Sequence, residues 1–315
     1  MKRREFLVGA AAVAAAGFAR PATAGAVARQ SKQAALDRIS IMSLNFERML
    51  KVPDVQPSPD RTLELFEYPQ MIADTYGVHK VEFQHYHLAS FEDSYLKQLR
   101  AACEKAKSQP QQFNLEFGNL NMSADRMRDR LLAVDLTKAF VDHAVVLGAK
   151  RVMANQGTLT TVNKDVAIAT LKTMADYGKS KGIIVSVETR GSGGGGRGRA
   201  GQPPPPPIVG LPERGVPTWT LLAEVIKGAG AYSNVDVGGA AAANQEDLHA
   251  CLKTMFPFTA NTMHTRVGSA WDLATVIRFL EKDLGYKGLY TIEANNAHEG
   301  TKPIYDVVVA TLSSL

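Results

Sequence analysis

Four short apolar stretches of the chain each end on a side chain that can bind a divalent metal. The stretches GIIVSVE, SNVD, NTMH and LYTIE end on Glu188, Asp236, His264 and Glu293. Three carboxylates and one imidazole suit Mn²⁺, Mg²⁺, Co²⁺ or Zn²⁺, and the set contains no thiolate. The sequence therefore predicts one divalent metal ion bound by these four residues.

The spacing of the four residues indicates one structural unit for each ligand. Asp236 and His264 are 28 residues apart, and His264 and Glu293 are 29 residues apart. Each residue ends a β-branched stretch of strand length, and a segment with helical periodicity follows it. A parallel α/β sheet has this order, with its functional residues at the carboxyl ends of the strands.

The whole chain repeats this order of strand and helix. Eight predicted strands alternate with eight predicted helices, which is the pattern of an α/β fold of the (β/α)8 TIM barrel type in a single domain, residues 37–315. Within it, residues 113–120 are the predicted third strand, and Asp60 and Ser123 or Asp125 are predicted helix N-caps. A doubly wound open sheet is the alternative, but no strand is followed by the glycine pattern of a dinucleotide-binding loop. A closed barrel would bring the four strand ends to one arc of one rim.

Two segments are predicted to lie outside the barrel. Residues 1–28 carry the pair Arg3 and Arg4 before an apolar run and have small residues for cleavage near Ala24 to Ala28, which is typical of a twin-arginine signal peptide. A short N-terminal anchor is the alternative. A removed signal predicts a periplasmic or secreted protein. The Gly/Pro-rich residues 191–210 are predicted to be a flexible insertion after the fifth strand, either a plain surface loop or a mobile lid over the metal face.

Charge and hydropathy bear on the partners of the chain. The formal net charge is +5, and the leader contributes +3 of it (Lys2, Arg3, Arg4 and Arg20 against Glu5), so the mature charge is +2. This small charge is weak support for nucleic-acid binding, and we predict no nucleic-acid partner. The apolar run of the leader, Leu7 to Phe18, is only 12 residues long and too short to span a bilayer unaided. We therefore predict no membrane association once the signal is removed.

The ends of these strands resemble those of a known family. The segments VSVET, NVDVGG, MHTR and YTIEAN resemble the four ligand-bearing strand ends of the xylose isomerase-like TIM barrels, and in particular of the sugar phosphate isomerase/epimerase group and the ketose 3-epimerases. The resemblance covers residues 37–315. It implies one divalent metal ion on the four ligands and a small-molecule sugar substrate. In the epimerases the two glutamates exchange protons with opposite faces of the substrate carbon, which implies catalytic roles for Glu188 and Glu293.

The sequence also departs from that family. The epimerases usually carry a substrate-binding histidine three positions after the aspartate, and here Gly239 stands at that position. The endonuclease branch needs the same histidine and an Asp-x-His after the seventh strand, and the chain has neither. The sequence therefore favours sugar chemistry over cleavage of DNA phosphodiesters.

Four further polar residues are predicted to bind substrate. In an extended backbone Arg266, two positions after His264, points the same way and can hold a hydroxyl, a carbonyl or a carboxylate; a rim salt bridge is the alternative. Glu82, His85 and His87 lie at or just past the end of the predicted second strand, on the same rim.

The predicted chemistry is proton abstraction next to a carbonyl. It creates an enediolate, which a divalent metal stabilises as a Lewis acid while a carboxylate on each side takes and returns the proton. The sequence thus predicts a divalent-metal-dependent sugar isomerase or epimerase acting on a sugar or keto-sugar. Two alternatives stay open, a 3-keto-glycoside lyase on the same scaffold and a non-catalytic sugar-binding or partner-binding barrel.

Overall fold

The computed structural model describes residues 31–53, 55–117, 121–189, 218–238, 242–294 and 298–315. The predicted signal peptide, the insertion at 191–210 and Gly239 lie outside these ranges.

Eight parallel strands close into a barrel in which each strand pairs with its neighbours in chain order and the first pairs with the last. The strands are β1 (Ile39–Met42), β2 (Lys80–Gln84), β3 (Gln109–Asn114), β4 (Arg151–Ala154), β5 (Ile184–Glu188), β6 (Tyr232–Asp236), β7 (Thr259–Thr265) and β8 (Leu289–Ile292). This closed barrel confirms the predicted (β/α)8 fold.

Helices follow the strands and cover the outside of the barrel. They are α1 (Tyr68–Tyr76), α2 (Asp93–Lys105), α3 (Met127–Leu147), α4 (Lys164–Ser180), α5 (Thr218–Ala229), α6 (Gln245–Met255), α7 (Leu273–Lys282) and α8 (His298–Ser313). No helix in the described ranges is long and apolar enough to cross a membrane.

Side chains alternate along the strands between an apolar core beneath the helices and a polar barrel interior. In α7 the buried residues Leu273, Val276, Ile277 and Leu280 follow helical spacing and form the stripe that packs on the barrel. The opposite face of the strands is polar, since Glu82 on β2 bonds to side chains on β3, β7 and β8. Contacts between strands on opposite sides of a barrel must cross its interior, so this polar layer lies inside.

Several predicted element boundaries were wrong. Helix α1 begins at Tyr68 instead of after Asp60, because Pro69 favours the first turn of a helix. Helix α3 begins at Met127, since the Ser123 hydroxyl instead bonds to backbone carbonyls of the loop after β4. Strand β3 occupies Gln109–Asn114, earlier than predicted, because four of its six residues are glutamine or asparagine and give no apolar signal.

Candidate metal centre

Three of the four predicted ligands meet at the carboxyl end of the barrel. Glu188 ends β5, His264 lies next to the end of β7 and Glu293 directly follows β8. The imidazole Nδ1 of His264 lies 2.9 Å from Oε1 of Glu188 and 3.1 Å from Oε2 of Glu293. One ligand atom from each residue lies within 4.8 Å of the other two. We call Glu188, His264 and Glu293 the metal centre.

The donors of the metal centre fit a cation better than a hydrogen bond. A single N–H on Nδ1 that is shared between two carboxylate oxygens bonds each of them less well than a donor of its own would. Oε2 of Glu293 is in fact buried without a hydrogen-bond partner among the described residues, although Nδ1 is close to it. A divalent cation attracts both carboxylates and the imidazole lone pair together, so it would satisfy all three groups. The metal prediction is therefore consistent with this structure.

Asp236 lies beside the metal centre and is engaged by Arg266. The guanidinium Nε lies 3.0 Å from Oδ1 of Asp236, and Nη2 lies 2.7 Å from Oδ2. The same Nη2 also contacts Oε1 of Glu293. The Gly238 backbone N–H donates to Oδ1 at 2.8 Å. Arg266 thus bridges two of the four predicted ligands, and the role of Asp236 as a ligand stays a prediction.

Burial and charge shift the pKa values in this cluster. Burial, and then the nearby charge of Glu293, raises the pKa of Asp236 to about 7, against the opposing effect of Arg266. Burial alone would lower the pKa of His264, but its close contacts with the three surrounding glutamates outweigh it and raise that pKa well above its usual value. Neighbouring carboxylates thus favour the protonated form of both groups, and for Asp236 this effect adds to the larger effect of burial.

A count of charges shows an excess of buried negative charge. Four buried carboxylates, those of Glu82, Glu188, Asp236 and Glu293, surround one imidazole and the guanidinium of Arg266. Even with the imidazole protonated, two negative charges are unbalanced when all four carboxylates are ionised. A divalent cation supplies the missing charge.

Glu82 lies on the other side of the imidazole from the ligand carboxylates. It is fully buried, and its Oε2 is 3.3 Å from Nε2 of His264. Burial alone would raise the pKa of Glu82, but hydrogen bonds from His264, Thr291 and Asn114 outweigh it and lower that pKa. The structure thus places Glu82 in the barrel interior, enclosed by protein, instead of on the rim where a substrate would bind.

His85 and His87 lie in a 3-10 turn, His85–His87, directly after β2. The Gln84 backbone N–H donates to Oγ of Ser43 at 3.0 Å, so the Ser43 hydroxyl can give its one hydrogen to Nδ1 of His87, 2.8 Å away. When the hydroxyl donates, Nε2 of His87 carries the hydrogen; in either case Nε2 is buried without a partner among the described residues. Burial lowers the pKa of His87 to about 3 and that of His85 to about 4.

Backbone contacts fix the strand ends that carry the ligands. The Asn45 side chain donates to the carbonyl of Ile292 at 3.1 Å and accepts from the N–H of Ala294 at 2.8 Å, so it brackets Glu293. The Thr189 hydroxyl accepts from the N–H of Asp236 at 2.9 Å and donates to its carbonyl at 3.2 Å. These contacts hold the ends of β5, β6 and β8 in place.

Sequence reasoning missed the polar residues that surround His264 from inside the barrel. They are Gln112, Asn114, Asn234 and Thr291. A usable signal existed, because Asn234 and Thr291 each lie two positions before a predicted ligand and therefore on the same face of the strand.

Replacement of Arg266 by glutamine should destabilise the metal-free protein by about 3 kcal/mol, because it leaves Asp236 and Glu293 without their cation. The loss should be much smaller with Mn²⁺ bound, since the metal supplies the missing charge. Urea unfolding in EDTA and in Mn²⁺ measures both values. Arg61→Gln is the control, because the bonds of Arg61 go to the carbonyls of Glu47 and Leu50. Equal losses for Arg266→Gln in both buffers would contradict the prediction.

The buried His87 should make the protein less stable in acid. Below its ordinary pKa of about 6.5 the unfolded chain binds a proton at His87, whereas the folded chain does not until about pH 3. The free energy of unfolding should therefore fall by about 2 kcal/mol from this residue between pH 7 and pH 5. Urea unfolding at both pH values should show that His87→Gln loses less stability on acidification than the wild type. An unchanged pH dependence in the variant would contradict this.

Comparison with known proteins shows the fold. No protein-family model and no curated protein matches the chain. Among solved structures, D-psicose 3-epimerase with D-fructose has a TM-score of 0.64 at 12% identity, over 88% of this chain and 97% of that chain. The 3-keto-D-glucoside 4-epimerase of E. coli has a TM-score of 0.63 at 11% identity, over 88% and 99%.

A third similar structure was solved with a metal. It is a xylose isomerase-like TIM barrel protein from Mycobacterium smegmatis in complex with magnesium, with a TM-score of 0.58 at 15% identity over 89% of this chain and 99% of that chain. The chain thus has the fold of the xylose isomerase-like TIM barrels, in agreement with the resemblance of its strand ends.

Proposed function

We propose that this protein is a divalent-metal-dependent isomerase or epimerase that removes a proton from a sugar carbon next to a carbonyl. The observation that carries the proposal is the convergence of Glu188 and Glu293 on Nδ1 of His264, with one buried carboxylate oxygen left unpaired. Similar folds in sugar epimerases support the sugar substrate.

The chain's own carboxylates would move the proton. Glu188 comes from β5 and Glu293 from the end of β8, three strands apart around the rim, so they can flank a sugar bound between them. One carboxylate takes the proton from carbon and the other returns a proton to the opposite face, which inverts that carbon. The metal, when bound, supplies a Lewis acid that stabilises the charge developing on the substrate oxygens.

Other residues would bind and shield the substrate. Arg266 lies on the rim with a side chain 21% exposed, so it can also reach a hydroxyl or a carbonyl. Nε2 of His87, which has no partner among the described residues, can form a hydrogen bond with a sugar oxygen, and His85 lies in the same turn. The metal centre residues are each less than 5% exposed, so little water would compete with the substrate for the two carboxylates.

The cellular location of the protein is part of the same proposal. The twin-arginine leader supports export to the periplasm or out of the cell after folding. An exported enzyme would meet sugars and glycosides instead of cytosolic sugar phosphates. We therefore propose a keto-sugar or a 3-keto-glycoside as the substrate class.

Exchange of a carbon-bound hydrogen with solvent tests the proposal. The Mn²⁺-loaded protein, incubated with ketohexoses and with 3-keto-glucosides in D₂O, should place deuterium on the carbon next to the carbonyl, as read by NMR. An eliminated glycoside would identify the lyase, whose reaction begins with the same proton removal. A product that keeps a deuterium label placed at that carbon, after turnover in H₂O, would contradict the mechanism. Sugar binding without any turnover or exchange would favour the non-catalytic barrel.

A further inference from the structure

The nitrogen of His264 that faces away from the two ligand glutamates is enclosed by polar side chains from three other strands. Nε2 lies 3.3 Å from Oε2 of Glu82 on β2, 3.0 Å from Nδ2 of Asn234 on β6 and 3.5 Å from Nε2 of Gln112 on β3. All three side chains are 1% exposed or less. Because Nε2 is enclosed in this way, its hydrogen bonds to these protein groups decide whether it carries a hydrogen.

The surroundings of Glu82 identify it as a hydrogen-bond acceptor. Its Oε1 accepts from the Thr291 hydroxyl at 2.6 Å, and its Oε2 accepts from Nδ2 of Asn114 at 3.1 Å and from Nε2 of Gln112 at 3.3 Å. Both carboxylate oxygens of Glu82 are therefore acceptors in this network. A lone pair on Nε2 of His264 would repel that carboxylate, so Nε2 must carry a hydrogen and donate it to Glu82.

Asn234 must then present its amide oxygen to the ring. With Nδ2 toward the imidazole, two N–H groups would meet, and Oδ1 is buried without a partner among the described residues. A half-turn of the amide gives Oδ1 a donor, namely the N–H on Nε2, which Asn234 then shares with Oε2 of Glu82 as a three-centre bond. The orphaned oxygen is thus consistent with the hydrogen position that the adjacent carboxylate requires.

We propose that Glu82 and Asn234 are positioning residues that hold the hydrogen of His264 on Nε2. Nδ1, the nitrogen between the ligand carboxylates, is then the one available to bind a divalent metal. The inference rests on the proposed metal site and explains why the imidazole presents Nδ1 to that site. Glu82 therefore acts through His264 and does not touch the substrate.

Metal affinity in a matched pair of variants tests this role. Glu82→Gln keeps the size of the side chain but replaces the anionic acceptor by a neutral one, and should weaken Mn²⁺ binding about 10-fold to 100-fold, as expected for the loss of a partner of a metal-binding histidine. Glu281→Gln is the control, because Glu281 is also a mostly buried carboxylate but bonds to Arg38 and Tyr290. Its Mn²⁺ affinity should stay within about twofold of the wild type. Calorimetric titration measures both.

A spectroscopic readout covers the case in which Glu82→Gln does not fold. In ¹⁵N-histidine NMR of the wild type, the Nε2 hydrogen of His264 should exchange slowly with solvent and should remain when Zn²⁺ is bound, with the signal assigned by its loss in His264→Ala. Asn234→Leu, which removes the second acceptor without a change of charge, should speed that exchange and weaken Mn²⁺ binding.

The outcomes separate this inference from the proposed function. Wild-type affinity in Glu82→Gln, or a Zn²⁺-loaded protein with the hydrogen on Nδ1, would overturn the inference while the metal site stands. A wild-type protein that binds neither Mn²⁺ nor Zn²⁺ would overturn the proposed function. The metal-free spectra of the wild type and Asn234→Leu then decide the inference alone, since equal exchange rates of the Nε2 hydrogen would contradict it and faster exchange in the variant would support it.

Discussion

His264→Ala should abolish the retention of divalent metal and weaken Mn²⁺ binding by more than about 100-fold, which exceeds the loss expected for an outer partner of a ligand. The reason is that His264 contributes the only nitrogen of the metal centre and lies within 3.1 Å of both ligand carboxylates. Metal analysis of the purified variant after dialysis measures retention. The barrel should still fold, because its core does not depend on rim residues.

We also expect His264→Ala to be less stable than the wild type. Without the imidazole, Glu82, Glu188 and Glu293 lose the group that all three contact, so the variant should unfold at lower urea concentration than the wild type at neutral pH. Circular dichroism checks that the fold persists. His249→Ala is the control, since His249 lies on α6 and stacks on Phe279. Normal metal content in His264→Ala would remove His264 from the metal site.

Glu188→Gln and Glu293→Gln should each lose about 10²-fold to 10⁴-fold in hydrogen exchange of the epimer from which that glutamate takes the proton, the range for removal of a general base. Glutamine fills the same volume and keeps an oxygen that can face a cation, but its amide cannot accept a proton at neutral pH. The measurement is the rate of deuterium incorporation from D₂O into the keto-sugar at saturating Mn²⁺, so that weaker metal binding does not reduce the rate.

The control for these variants is Glu281→Gln, whose carboxylate is also mostly buried but contacts neither His264 nor Arg266. It should exchange at the wild-type rate. If one of the two rim variants kept full exchange of both epimers at saturating metal, that glutamate would be a metal ligand without a role in proton transfer. If both kept it, proton abstraction by these carboxylates would be excluded.

The fold was predictable because its signals are local. A strand, a polar end and a helix recur along the chain, and the apolar stripe of α7 or the β-branched run of β5 can be identified without any tertiary contact. The boundaries were less predictable where long-range contacts override propensity. Ser123 has the side chain of a helix cap, yet its hydroxyl bonds to carbonyls more than 30 residues away.

The candidate site, like the fold, was predictable from the sequence only in part. The positions of Glu188, His264 and Glu293 follow from the sequence, because a side chain at the carboxyl end of a barrel strand has one rim on which to lie. Strand ends cannot specify which groups pair. The bridge from Arg266 to Asp236 depends on the relative positions of β6 and β7, and the contact of Glu82 with His264 crosses the barrel interior from β2 to β7. The sequence by itself thus determined which strand ends carry the candidate ligands, since strand order and period are local properties. Only the tertiary structure decided which imidazole nitrogen lies against Glu82 and which lies against the ligand carboxylates. That choice depends on side chains 182 and 76 residues away along the chain.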